Sequence, residues 1–378
     1  MLEIRGQYNT AKIFTDNIEQ SAVSQLYNLL NQEFAQGSSI RIMPDVHAGA
    51  GCTVGTAMTV GGKVAPSLVG MDIGCGMETV ALRDAEIDLA RLDDAVRRYI
   101  PSGLKTRKDT HRMAAHLDLG ALRIYKHIDA KRALFSAGTL GSGNHFIELG
   151  KDEDGKLYIV VHSGSRNLGK QTAEYYQNAA IKQLGKVGRG SEKFMPYLEG
   201  SLLGDYLHDM RLVQQYADLN RKTIVKELEK HVKFKIDEQF ATVHNYIELD
   251  AEPMMLRKGA ISAKKGERVI IPMNMRDGSI ICVGKGNEDW NCSAPHGAGR
   301  LLSRGEAKEL HTLDEYKEAM QGVYSTSVSA HTIDEAPFAY KPMEEIIAAI
   351  GDTVDVVKTI RPLYNFKAGS RNEMRDAK

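Results

Sequence analysis

Apolar residues along the chain recur with two periods, and each predicts a different element. Between positions 18 and 34, Ile18, Ala22, Leu26, Leu29, Leu30 and Phe34 fall on one helical face, and Gly37 suits the stop. Leu89, Leu92, Val96 and Ile100 repeat the spacing until Pro101 ends it. A longer helix is predicted from Asp205 to Leu228, with Tyr206, Met210, Val213, Ala217, Ile224 and Leu228 on its apolar side. Strand-like runs occupy Val54–Val60, Leu157–Val161, Val269–Ile271 and Ser279–Val283. Helices and strands follow in no strict alternation, so an α+β fold is expected rather than a doubly wound sheet. No repeat or Pro/Ser-rich linker divides the sequence, and residues 1–378 are read as a single domain.

Composition adds limits. Hydrophobic residues make up 42% and charged residues 26%, an ordinary globular balance. No stretch reaches the roughly twenty apolar residues of a membrane span. The start, Met1-Leu-Glu-Ile-Arg-Gly, lacks the features of a signal peptide, so the expected location is cytoplasmic with no membrane partner. Lys plus Arg and Asp plus Glu both number 49, so any polyanion must be bound by a local patch. The denser basic stretches are Lys105–Arg112 and Lys222–Lys235, and such runs are usually solvated faces. Cys52, Cys75, Cys282 and Cys292 are too few for a disulfide framework and are expected to be reduced.

Glycine-rich segments carry the chemistry. They are Pro44-Asp-Val-His-Ala-Gly-Ala-Gly-Cys52, Gly70-Met-Asp-Ile-Gly-Cys-Gly-Met77, Gly138-Thr-Leu-Gly-Ser-Gly-Asn-His-Phe-Ile-Glu148, His162-Ser-Gly-Ser-Arg166, His244-Asn245 and His296-Gly-Ala-Gly-Arg300. Asp72 and Cys75 are spaced so that one turn could aim both at a point. With imidazoles from His145, His162 and His244 they would form a mixed S/N/O set suited to Zn²⁺, Mn²⁺ or Co²⁺. Taken alone, Cys75 reads more readily as a small buried hydrophobe and Asp72 as a turn former, and the three histidines shift the balance towards a ligand set.

His296 follows Pro295 and precedes two glycines and a run of helix formers reaching Leu310. A helix start there would offer free N–H groups to phosphate oxygens, beside an imidazole able to form a phosphoramidate. The same pattern also fits a helix N-terminal histidine with packing glycines. Lys367 follows an apolar lead-in, Leu363-Tyr-Asn-Phe, that could carry its ammonium into a pocket.

Together these segments resemble the RtcB family of RNA ligases, from Met43-Pro-Asp-Val-His47 through Arg257-Lys-Gly-Ala260 and His296-Gly-Ala-Gly-Arg300 to Lys367. The resemblance implies that Asp72, Cys75, His145, His162 and His244 hold two Mn²⁺ ions, with Cys75 bridging, and that His296 becomes guanylylated. It places Asn144, His145, Phe146, Ile147, Glu148, His244, Asn245, Pro272, Met273, Asn274, Met275, Ser279, His296, Gly297, Ala298, Gly299 and Lys367 around GMP. It further implies GTP-dependent joining of RNA 3′-phosphate or 2′,3′-cyclic phosphate ends to 5′-hydroxyl ends, with an activating protein as a possible partner.

The sequence departs from the family pattern in several places. Ala48 and Ala50 stand where Pro and Lys are common, and Leu256 where His is frequent. Met273-Asn274 and Arg276-Asp277 replace a Gly-rich turn, and Ala368 follows Lys367 where Gly is usual. The pattern fits a shorter, divergent paralogue. Two alternatives stay open: a metal-dependent phosphodiesterase that opens cyclic ends without sealing, and a non-catalytic RNA-end-binding protein.

Overall fold

β-branched and aromatic runs assemble into two large sheets in the computed structural model, which describes residues 1–185 and 195–369. The larger has seven strands in the order Ile236–Val243, Gly76–Leu82, Leu157–Ser163, Phe146–Lys151, Val354–Lys367, Gly278–Gly284 and Arg268–Asn274. Every neighbouring pair is antiparallel. The sheet curls until its outer strands meet: Ile270 N–H donates to Thr242 Oγ1 at 3.2 Å, and Arg268 pairs with Glu238. Met77, Phe146, Tyr158, Ile270, Ile281 and Ile360 fill the concave side. On the convex side Ile147, Leu149, Ile159 and Val161 pack with Leu92 and Val96 of the helix Leu89–Tyr99 and with Ile224 and Leu228.

The second sheet runs Leu2–Arg5, Thr10–Ile13, Ile40–His47, Val54–Val60, Met254–Lys258 and Asn245–Glu248. The expected mixed α+β architecture is observed, and among the described residues no helix is long and apolar enough to cross a membrane.

Element boundaries moved where tertiary contacts outweighed local pattern. The helix expected over 18–34 is Gln20–Leu30 followed by a 3-10 turn at Glu33–Ala35. The long helix spans Gly200–Val232, beginning five residues before Asp205 and ending with Lys233 in the left-handed region. The expectation of a helix opening at His296 is overturned. A strand at Ser293–Pro295 delivers His296 into an irregular turn, and the helix Arg304–Leu310 starts eight residues later. Its start is fixed by a capping box in which Ser303 and Glu306 satisfy each other's backbone N–H groups. Gly299 explains the delay: it has φ +75°, and a Cβ there would lie 2.3 Å from the Asp45 carbonyl oxygen.

Strand register positions the chemistry. Val243 pairs with Gly76, Gly76 with Ser163, and Phe146 with His162. Cys75, His145, His162 and His244 therefore gather at one end of four adjacent strands.

Candidate metal centre and nucleotide pocket

Each donor segment reaches the cluster by backbone restraint. In the turn after Gly70, Cys75 N–H donates to Asp72 O at 3.1 Å, and Gly74 takes φ +72°. His244 N–H donates to Cys75 O at 2.9 Å, and Gly74 N–H to Asn245 O at 2.7 Å. His145 Nδ1 meets the Leu140 carbonyl at 2.8 Å and His162 Nδ1 the Asn144 carbonyl at 3.0 Å. A carbonyl only accepts, so both protons sit on Nδ1 and the Nε2 lone pairs face inward.

There Cys75 Sγ lies 3.4 Å from His145 Nε2 and 3.3 Å from His162 Nε2. His162 Nε2 lies 3.3 Å from His244 Nε2, and His145 Nε2 is 3.0 Å from Asp72 Oδ2. Two three-donor groups result, Asp72–Cys75–His145 and Cys75–His162–His244, each with ligand atoms within 4.8 Å of one another. Cys75 belongs to both. The five residues named from sequence are thus brought together, and the sulfur sits where a bridge would.

Electrostatics fit a cation. Burial drives His162 and His244 well below the ordinary imidazole range, so both are neutral at pH 7, the form in which imidazole can bind a metal ion. Burial opposes ionisation of Asp72, but the polar and positive groups around it, Arg166 among them, hold its carboxyl well below the usual range. Burial and Asp72 push the Cys75 thiol well up, so its proton leaves when a metal ion takes its place. Inward-facing nitrogens crowded on one sulfur, with no donor among them to share, are a set that a soft-tolerant divalent ion satisfies.

His296 stands beside this centre, its ring 4.8 Å from that of His244 and edge-to-face with it. Asp45, fully buried, accepts from His296 Nδ1 at 2.6 Å and from its backbone N–H at 3.1 Å. The proton is held on Nδ1 and the Nε2 lone pair is free.

A family model described as tRNA-splicing ligase RtcB matches residues 25–127 and 116–368. This chain belongs to the RtcB family. It is 33% identical to RNA-splicing ligase RtcB1 of an Escherichia coli strain, over 93% of this chain and 95% of the relative. It is 32% identical to RNA-splicing ligase RtcB of Escherichia coli K12 over the same shares. Identity to tRNA-splicing ligase RtcB of Aeropyrum pernix is 28%, covering 85% of this chain and 86% of that one.

Within this RtcB fold a cavity of about 390 Å³ opens beside the metal centre. Asn144, Phe146 and Glu148 line it from one strand start, Pro272 through Met275 from the end of another strand, His296 through Gly299 from the turn, and His244 and Lys367 add to the wall. Ile147 points away into the convex core, and Ser279 is fully buried beside Glu148. Asn245 is occupied bracing the donor loops, accepting from Gly259 N–H at 3.0 Å and donating to Asp72 O at 3.4 Å. At the position expected from the resemblance to be a Gly-rich turn, the strand Arg268–Asn274 runs on, and Asn274 Oδ1 closes the turn by accepting from the Arg276 and Asp277 N–H groups.

Sequence reasoning missed several residues of the wall and others that stand behind it. Lys367 pairs with Glu335, a buried carboxylate that also accepts from Tyr340 Oη at 2.6 Å. Burial opposes the charge of Glu335, but Lys367, Arg304 and Arg300 hold its carboxyl well below the usual range. Asn365 donates to Glu148 Oε2 at 2.9 Å, while burial raises the Glu148 carboxyl to about 7. Asp45 lay in a quoted motif, but its partner is 251 residues away. Nothing local to Asp334-Glu335 marked it.

Of the two basic stretches, Arg107 is committed to the carbonyls of Ala137 and Gly138 and to Glu227, and Lys222 pairs with Asp218. Lys105 instead joins Arg132, Arg166 and Lys170 around a cleft of about 230 Å³ that reaches Asp72 and His145.

Proposed function

We propose that this chain is an RNA ligase, one domain over residues 1–378, that joins 3′-phosphate or 2′,3′-cyclic phosphate ends to 5′-hydroxyl ends using GTP and Mn²⁺. The observation that carries the reading is His296: an imidazole with its Nδ1 proton held by Asp45, its Nε2 free, between a nucleotide-sized cavity and a bridged donor cluster. A passive binder has no use for an imidazole so arranged, and a phosphodiesterase would use it as a general base without acquiring a covalent label.

In this reading Asp72, Cys75 and His145 would hold one ion and Cys75, His162 and His244 the other. The bound ions supply Lewis acidity that offsets charge on phosphate oxygens. His296 Nε2 attacks the α-phosphorus of GTP, the P–N bond forms, and the bond to pyrophosphate breaks. The imidazolium that develops is stabilised by the Asp45 carboxylate. Water opens a cyclic end to a 3′-phosphate, whose oxygen attacks the histidine-bound phosphorus and releases the imidazole. The 5′-hydroxyl then attacks the activated 3′-phosphate and GMP leaves, which closes a 3′,5′-phosphodiester.

Other groups have roles by chemistry. Glu148 as carboxylate is the acceptor that the N1–H and 2-amino group of guanine need, and adenine lacks that donor pair. The cleft with Lys105, Arg132, Arg166 and Lys170 supports an RNA path by local positive charge in a chain of zero net charge.

The test is covalent. With Mn²⁺ and GTP labelled at the α-phosphate, the chain is expected to acquire acid-labile label, and His296→Ala none. Label on His296→Ala would overturn the assignment. Cyclic-end opening without any label would favour the phosphodiesterase.

A further inference from the structure

The helix Gly200–Val232 contributes no ligand to the donor cluster, yet two adjacent buried residues on it touch three of the donor segments. Arg221 Nη1 donates to Gly74 O at 2.7 Å and to Ser163 O at 3.1 Å, the carbonyls flanking Cys75 and His162. Asn220 Oδ1 accepts from the N–H groups of Gly138 and Thr139 at 2.8 and 3.1 Å. Its Nδ2 donates to Thr139 O, Ser163 Oγ and Gly164 O at 3.2, 3.0 and 3.1 Å. Ser163 Oγ in turn donates at 2.9 Å to Leu140 O, the carbonyl that orients His145. The helix approaches so closely that a Cβ on Gly74 would lie 2.9 Å from that of Ala217.

These contacts cross the division between the two three-donor groups. Gly74 precedes the shared Cys75, the 138–140 turn governs His145 of one group, and Ser163 follows His162 of the other. We propose that Asn220 and Arg221 are positioning residues that hold the two donor groups at bridging distance, so that loading of the ion pair depends on them. The inference rests on the metal-dependent reading above and extends it to a helix outside both the metal set and the nucleotide pocket. A fully buried guanidinium spent on two carbonyls is costly unless those carbonyls must be kept in place. Partners that orient ligands typically change metal affinity by about 10–100-fold when removed.

The probe is Mn²⁺ alone, titrated into the full chain and followed by calorimetry and by electron paramagnetic resonance of the coupled pair. The parent is expected to take up two ions with a spin-coupled signal. Arg221→Met is expected to lose the coupled signal and weaken uptake at least tenfold, and Arg221→Lys to recover part of both. Asn220→Ser is expected to weaken uptake in the same sense, and with Arg221→Lys it decides the matter where Arg221→Met does not fold. Thr223→Val is the control: its hydroxyl bonds to Leu219 O on the same helix, so melting is expected to shift while uptake does not. Folded Arg221 and Asn220 variants with parental uptake and coupling would overturn the clamp, as would an equal loss in Thr223→Val. A parent that takes up no ion pair overturns clamp and ligase reading together, which separates the two failures.

Discussion

His296 and Glu148 line one cavity, and different causes set them: a carboxylate partner acts on His296 and burial acts on Glu148. His296 gains a nucleophilic nitrogen because Asp45 fixes its proton at 2.6 Å on the far side of the ring. Asp45→Asn keeps the shape but removes the charge that stabilises the imidazolium. Guanylylation is expected to slow by about 100-fold or more in a single-turnover labelling assay. A rate within threefold of the parent would show that Asp45 is structural only. Glu148 has its carboxyl raised to about 7 by burial, against an unfolded value near 4.5. A group whose folded value is raised costs nothing below its unfolded value, and its penalty grows as pH rises to the folded value. The full penalty, about 3 kcal/mol, applies above pH 7. Glu148→Gln is expected to raise the melting temperature relative to the parent at pH 8, with the difference fading towards pH 4. A difference independent of pH would remove this account. The residue types at both positions were legible in sequence, but neither partner was, because Asp45 and Asn365 lie 251 and 217 residues away.

Elements contribute by where they stop. Periodicity identified the strand around Leu157–Val161 and the long helix, yet the functional positions sit just past the regular pattern. His162 and Ser163 extend that strand, and Gly164 links it to the helix Arg166–Leu184. A side chain there would crowd the candidate donor: a Cβ would lie 2.2 Å from Asp72 Oδ1. Gly164→Ala is therefore expected to displace Asp72 and weaken Mn²⁺ uptake at least tenfold in calorimetry, with the apo chain still folded. Unchanged uptake would mean that Asp72 is free to move aside. The helix misplaced at His296 has a comparable origin. Helix-forming composition from Leu301 onward was read back to His296, while Gly299 meeting Asp45 and the capping box at Ser303 set the start at Arg304.

For the whole molecule, an ion held by the candidate donor cluster would couple binding to folding. Its donors come from the 70–75 turn, the seven-stranded sheet and the turn that joins this sheet to the six-stranded one at His244. The unfolded chain cannot present them together. Mn²⁺ at 100 times its dissociation constant is expected to stabilise the fold by about 2.7 kcal/mol, seen as a higher melting temperature and reversed by a chelator. In His162→Ala the Mn²⁺-dependent part of the shift is expected to fall sharply. A shift equal to the parent's would place the stabilising ion elsewhere. Charge works at a smaller scale: positive and negative residues balance at 49 each, and the electrostatic preference of the molecule resides in single clefts.

Sequence alone determined which donor-bearing residues lie among glycines, because residue type and spacing are local, and the order of motifs carried family membership. It also determined most strands and helices, whose periods are local. Tertiary structure decided which partner each reactive group meets: Asp45 behind His296, Glu335 behind Lys367, and Asn220 with Arg221 behind the metal ligands. Those pairings close over tens to hundreds of residues, and hydrogen bonds of that reach depend on packing that no local pattern encodes.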